Sequence, residues 1–196
     1  MTVHELKKRL RAEARARRAA RSETERALAT AMVTENLDQV IRDCGARNVA
    51  IFLSTATEPE TRDAIRELSQ AGIRFVAPVS LEDGAMKWTA VEDATPERVG
   101  LGSIPEPDVS DAATAKNVVV DLVVCPAAAV DETGTRLGWG GGYYDRFFAE
   151  LPAGTPVFAL VFDADVVSKL PHENHDVPVD GIITPSGWRR FEHTAD

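Results

Sequence analysis

Residues 118–124 form an almost unbroken β-branched and apolar run, the pattern of a strand buried on both faces. A strand of that kind needs a layer of helix on each side. The chain supplies those helices in alternation with further strands. Residues 4–20, rich in Ala, Arg and Leu, read as a first helix. Ser22-x-x-Glu25 is a capping box opening a second helix that runs to Cys44 and stops at Gly45. Strands are expected at 49–53, 73–79, 156–162 and 179–183, and at 86–91 a further strand or half of a hairpin. Helices are expected at 61–70 and 164–170, and residues 92–115, rich in Pro, Gly, Asp and Thr, read as a long loop. The expectation is one α/β domain over 1–196, a three-layer Rossmann-like fold with a largely parallel sheet.

After the 118–124 run comes Arg136-Leu137-Gly138-Trp139-Gly140-Gly141-Gly142-Tyr143-Tyr144-Asp145, read as a glycine-rich turn between a strand and a helix. Tyr144, Phe147, Phe148 and Leu151 fall at i, i+3, i+4 and i+7, an amphipathic stripe. Glycines let the backbone approach a ligand, and a helix start adds unpaired N–H groups and a positive dipole end, which suits phosphate. The turn is not a P-loop, since no Gly-Lys-Ser/Thr follows, and Tyr143 stands where the dinucleotide fingerprint needs its third glycine. A tight turn packing helix on sheet is the competing reading, but Arg136, two tyrosines and Asp145 serve chemistry better than packing. In open α/β sheets, ligands bind beyond the carboxyl ends of strands, where this turn lies.

The net charge of -9 is uneven: residues 1–21 carry eight Lys/Arg against Glu5 and Glu13, about +6, which leaves about -15 elsewhere. An acidic protein with a pI near 5 is a poor general nucleic-acid binder. No run of 18 apolar residues exists to span a membrane, and the N-terminus lacks the apolar core of a secretory signal. Cys44 and Cys125 form no C-x-x-C and fit a reducing cytosol; Cys125, ending a buried strand, reads as a small core thiol.

Several residues stand out chemically. Lys7 and Arg11, at i and i+4, either clamp a polyphosphate or form a solvated basic face. Glu58-Pro59-Glu60-Thr61 follows the 49–53 strand, where a carboxylate accepts from a ligand's N–H groups or complements a helix dipole. Asp145 is a magnesium ligand or a first-turn acid. His172-Glu173-Asn174-His175-Asp176 lacks the spacing of a zinc site, and Asp176 serves better as a second acid near magnesium, with Asp180 the alternative. Trp139, Tyr143 and Trp88 offer surfaces to a flat heterocycle, although Trp88 is equally placed to pack under the long loop.

Together these residues resemble the 5-formyltetrahydrofolate cyclo-ligase (methenyltetrahydrofolate synthetase) family over nearly the whole chain. The resemblance rests on Lys7-Lys8-Arg9-Leu10-Arg11, on Ile51-Phe52-Leu53-Ser54 with Glu58-Pro59-Glu60-Thr61, on Arg136 to Arg146, and on His175-Asp176 leading to Val179-Asp180-Gly181-Ile182-Ile183-Thr184. It implies a fold similar to that of ribose-phosphate isomerases and CoA-transferases. It also implies ATP- and Mg²⁺-dependent conversion of 5-formyltetrahydrofolate to 5,10-methenyltetrahydrofolate, releasing ADP and phosphate. By resemblance, Lys7, Lys8, Arg11, Arg136, Leu137, Gly138, Trp139, Gly140, Gly141, Gly142, Tyr143 and Tyr144 bind ATP. Glu60, Trp139, Gly140, Gly141, Gly142 and Tyr143 face the folate; Asp145 and Asp176 hold magnesium; Lys7, Arg136 and Tyr143 act in catalysis. Some members carry a cation in the glycine motif where this chain has Trp139 and Gly141, so positive charge must come from Arg136, Lys7, Arg11, backbone amides and the metal. The expected partners are reduced folate and ATP, without nucleic acid or membrane, for a cytoplasmic monomer. The alternatives are a sugar-phosphate isomerase or CoA-transferase-like enzyme and a nucleotide- or folate-sensing module.

Overall fold

A computed structural model describes residues 2–108, 119–173 and 176–192. Its centre is a seven-stranded sheet built from β1 (Asn48–Ile51), β2 (Arg74–Ser80), β3 (Met86–Val91), β6 (Leu122–Pro126), β9 (Val157–Leu160), β11 (Gly181–Thr184) and β12 (Gly187–Arg190). The order is β12-β11-β9-β6-β1-β2-β3. The five inner strands run parallel, and β12 and β3 close the edges antiparallel. Two further strands, β4 (Glu97–Val99) and β5 (Pro105–Pro107), form a hairpin within the expected long loop; 109–118, which include its end, lie outside the described residues.

The period of two along the inner strands sorts their side chains onto two faces. Val49, Ile51, Leu122, Val124, Phe158 and Leu160 pack with Val33, Leu37, Val40 and Ile41 of α2 (Glu23–Cys44) and Ile65 and Leu68 of α3 (Arg62–Gln70). Ala50, Val123, Cys125, Val157 and Ala159 face the other way, onto Phe148 of α4 (Tyr143–Glu150). Tyr144, Phe147 and Leu151 complete that contact, as their helical spacing requires. This is the expected three-layer α/β arrangement. Cys125 is fully buried, and burial pushes its thiol up to about 11.

The expected capping box on α2 is present, with Gly45 in the left-handed conformation at its end. The first helix, α1 (Val3–Ala19), opens on a second box, Thr2 with Glu5. α1 packs through Leu10 and Ala14 against a small three-stranded sheet, β10-β7-β8: Val166–Val167, Ala129–Asp131 and Arg136–Leu137.

Three expectations need correction. The buried strand is displaced from 118–124 to β6, whose last residues are needed to pair Cys125 with Ala159 and Pro126 with Leu160. It does not lead straight into the glycine turn, because β7 and β8 intervene. The helix expected at 164–170 is a 3₁₀ turn over Asp163–Asp165 followed by β10, since Val166 pairs with Val130 instead of continuing a helix.

Candidate functional site

The strand order reverses between β1 and β6: β2 lies to one side of the pair and β9 to the other. Such a switch point opens a crevice at the carboxyl ends of the two strands. The chain leaving β1 carries Glu58 and Glu60; the chain leaving β6 enters β7 and β8 and then the glycine loop. Asp131 shapes that route. Its Oδ1 accepts from Thr133 N (2.9 Å), Thr133 Oγ1 (2.7 Å) and Thr135 N (3.0 Å), and its Oδ2 accepts from Leu170 N (3.0 Å). Burial would raise this carboxyl, but these bonds hold it below its ordinary value. The turn brings Arg136 antiparallel to Val130, at the start of the loop.

Several places in that loop are crowded or take positive φ, as at Gly140 (φ 104°). A Cβ on Gly138 would lie 2.7 Å from Arg136 Nη1, and one on Gly141 would lie 2.8 Å from the Tyr143 ring. Gly142 is left-handed (φ 67°) at the start of α4 and supplies no side-chain cap, so the helix start offers backbone amides. Arg146, on α4, donates to the carbonyls of Gly141 (3.0 Å) and Gly84 (2.9 Å), and Tyr143 Oη donates to Leu81 O (3.1 Å). The β2–β3 turn is thereby fastened to the glycine loop.

The structure gathers most of the expected cations and acids here. Arg11 Nε donates to Gly138 O (2.7 Å), which lays α1 along the loop. Arg136 Nη2 pairs with Asp145 Oδ1 (2.5 Å), and Lys7 Nζ with Asp176 Oδ2 (2.7 Å) and Glu173 Oε2 (2.8 Å). Burial lowers Arg11, as do the like charges of Arg15 and Arg136, while Asp176 and Asp145 oppose it; all five groups lie within one electrostatic neighbourhood. Burial would also lower Lys7, yet Asp176 and Glu173 hold it above its ordinary value. Lys8, one helical step round from Lys7, is exposed. Among the described residues no three His, Cys, Asp or Glu converge as a metal cluster. Asp180 is at the opposite end of the sheet, where its Oδ2 accepts from Val157 N (2.7 Å), so Asp176 is the acid near the loop. Of the His172–Asp176 cluster, Asn174 and His175 lie outside the described residues.

Trp139 joins the two halves of the crevice. Its Nε1 donates to Glu58 Oε1 (2.9 Å), and the guanidiniums of Arg15 and Arg18 lie 5.0 and 5.1 Å from its ring centroid. Glu60 borders a cleft of about 430 Å³ with Leu53, Arg62, Ile65, Val91 and Glu97. Its Oε1 accepts from Ser54 Oγ (2.9 Å), Thr61 N (2.9 Å), Arg62 N (2.8 Å) and Arg62 Nη1 (3.0 Å). Burial pushes the Glu60 carboxyl up, but these donors outweigh it and hold it low. Glu60 thus serves the start of α3, with these bonds all made to one of its two oxygens. Trp88 belongs to the core, buried with its ring 4.6 Å from Phe147; Tyr144 is partly buried, its ring 5.8 Å from that of Phe148. Among the described residues, the Tyr144 hydroxyl, Arg136 Nε and Arg18 Nη1 are buried without a hydrogen-bond partner.

Sequence reasoning missed the anchor of α1. Arg18 and Asp165 are both almost fully buried; Arg18 Nε donates to Asp165 Oδ2 (2.8 Å) and Nη2 to Ala127 O (2.6 Å), while Arg17 pairs with Asp165 Oδ1 (2.8 Å). Lys7, Arg11, Ala14 and Arg18 repeat at i, i+4, i+7 and i+11, one helical face, and that spacing was the available signal.

Residues 3–185 match the sequence model of the 5-formyltetrahydrofolate cyclo-ligase family. The chain belongs to that family. It is 33% identical over 147 residues to a 5-formyltetrahydrofolate cyclo-ligase of Escherichia coli, covering 72% of this chain and 79% of that protein. Its identity to a 5-formyltetrahydrofolate cyclo-ligase of Mycolicibacterium smegmatis is 30% over 146 residues, covering 71% and 74%. The solution structure of Aquifex aeolicus 5,10-methenyltetrahydrofolate synthetase superposes with a TM-score of 0.80 at 25% identity, covering 97% of this chain and 95% of that one. The superposition extends over nearly the whole of both chains.

Proposed function

We propose that the protein converts 5-formyltetrahydrofolate to 5,10-methenyltetrahydrofolate at the expense of ATP, in the crevice between the glycine loop and the Glu58–Glu60 segment. The observation that carries the reading is the pairing of Arg136 with Asp145 and of Lys7 with Asp176 beside a glycine loop at a helix start. Each pair joins a cation suited to phosphate with a carboxylate suited to magnesium. Lys7 and Arg136 would hold the phosphates of a magnesium nucleotide, and Asp145 and Asp176, released from those pairs, would hold its metal. Two carboxylates plus phosphate oxygens are what Mg²⁺ takes in nucleotide sites, and the donor set fits that use better than a protein-only cage. The metal would supply charge neutralisation on the phosphates.

An N-formyl group is an amide whose oxygen leaves poorly. Transfer of the γ-phosphoryl group to that oxygen, with ADP departing, makes it a leaving group. N10 then attacks the formyl carbon and gives up its proton to water, the C–O bond breaks, and phosphate leaves. Positioning and charge stabilisation dominate such a reaction, which calls for cations and amides and no catalytic triad. The folate lies toward Glu60 and its cleft, and Tyr143 aligns the loop through Leu81. The reading includes a cytoplasmic monomer, and the free thiols Cys44 and Cys125 accord with a reducing compartment.

Ultraviolet absorbance of the purified protein with 5-formyltetrahydrofolate and Mg-ATP tests the reaction. The methenyl chromophore should appear with ATP and not without it. Product without ATP would favour an isomerase-like activity, and no product from folded protein would favour a sensing module.

A further inference from the structure

The expected phosphate cations Lys7 and Arg136 already face carboxylates: Lys7 is paired with Asp176 and Glu173, and Arg136 with Asp145. Arg18 and Arg17 are neutralised by Asp165, and Arg9 pairs with Glu13. Arg11 and Arg15 differ. Among the described residues, no ion pair joins either to a carboxylate, although they stand one turn apart on α1. Their proximity is registered in Arg11, which burial and then the Arg15 charge hold below its ordinary value. Arg11 is tethered to Gly138 O through Nε alone, and its Cζ lies 3.5 Å from where a Gly140 Cβ would be, so both terminal nitrogens remain for a ligand at the loop. Arg15 is held over the Trp139 ring, between those two glycines. Two unneutralised guanidiniums set against a glycine loop repel each other unless an anion lies between them.

We propose that Arg15 is a further nucleotide-binding residue, acting with Arg11 to hold the phosphoryl groups at the glycine loop. The inference rests on the nucleotide site proposed above. The cation–π contact with Trp139 restricts the guanidinium before the ligand arrives, so less side-chain freedom is lost on binding. A planar fork is also the group best matched to two phosphoryl oxygens at once. Trp139 is then a platform for a cation delivered by α1, which accounts for an aromatic residue at the centre of an anion-binding loop.

Calorimetric titration with a non-hydrolysable ATP analogue plus Mg²⁺, and separately with adenosine, separates the possibilities. Arg15→Ala should raise the Kd for the ATP analogue about tenfold, as expected for loss of one charge-assisted contact. Arg15→Lys should fall in between, and Arg9→Ala should match the wild type. Adenosine should bind all four proteins alike. Thermal melting keeps the variants comparable, since Arg15 is exposed and its loss leaves the core untouched. ATP-analogue binding by Arg15→Ala within twofold of the wild type would overturn the role of Arg15, as would equal weakening for adenosine. A wild type that binds no nucleotide would overturn the nucleotide site itself.

Discussion

Helix α1 is tied to the domain by two ion pairs of the same chemical kind and opposite design. At one end, Arg18 and Asp165 have side chains only 1% exposed, and Arg18 also donates to the carbonyl of Ala127, the first residue after β6. At the other end, the Lys7 and Asp176 side chains are 10% and 14% exposed, and Glu173, at 44%, shares the ammonium. The first pair is sealed, geometrically multidentate and built on arginine, which does not titrate in the physiological range. The second uses a compact, flexible ammonium at the mouth of a glycine loop. A sealed pair fixes position; a pair open to ligand is exchangeable. The helix reads as a rigid arm, anchored at Arg18, that presents Lys7, Arg11 and Arg15 to the loop.

The largest expected effect lies at the sealed end. Arg18→Ala strands Asp165 and should cost about 3–5 kcal/mol of stability, lowering Tm by roughly 10 °C for a domain of this size. Arg18→Met with Asp165→Leu should recover most of that loss in thermal unfolding; a double variant as unstable as the single would mean the pair does more than anchor. At the open end, Lys7→Ala should lower turnover on the order of 10²-fold while shifting Tm by no more than a few degrees. Arg136→Ala should weaken ATP use similarly, and full activity in both variants would remove the phosphate assignment. Glu60→Ala should raise the KM for the folate and leave that for ATP unchanged, with a helix-start penalty of about 0.3–1 kcal/mol; an effect on ATP alone would contradict its place beside the cleft.

The smallest effect separates the two ends by pH. Lys7 is held above its ordinary 10.5 by its acidic partners, so its pair contributes fully below that pH and is lost as pH rises through the raised value. The Arg18–Asp165 pair is sealed from solvent, with both side chains 1% exposed. Hydrogen exchange extrapolated across alkaline pH should therefore loosen the first turns of α1 before the last ones. Simultaneous loosening of both ends would contradict the division between them.

Much of this was legible in the chain, for reasons that also explain the failures. Capping boxes and helical stripes are local, so α2 with its Ser22 and Gly45 boundaries and the apolar face of α4 follow directly from residue spacing. The glycine loop is visible because few backbone uses require so many glycines; Gly140 and Gly142 take positive φ, and a Cβ on Gly141 would crowd the Tyr143 ring. Strands of two residues such as β8 and β10 carry too little period to register, and the 164–170 stretch reads as helical because the pairing of Val166 with β7 is not local. The Arg18–Asp165 anchor spans 147 positions of sequence and has no motif. Tyr144 belongs by spacing to both the glycine motif and the α4 stripe, and the stripe decides where its ring goes. Asp176 and Asp180 were indistinguishable until the sheet placed one near Lys7 and the other at the amino end of β9.

The exchange of ion pairs is tested most directly by titrating the protein with ATP alone, with Mg²⁺ alone, and with both together. If Lys7 and Arg136 release Asp176 and Asp145 on binding phosphates, the freed carboxylates need the metal. Mg²⁺ should then tighten ATP binding at least tenfold and bind negligibly without nucleotide. Equal ATP affinity with and without Mg²⁺, or tight Mg²⁺ binding to the free protein, would contradict the account.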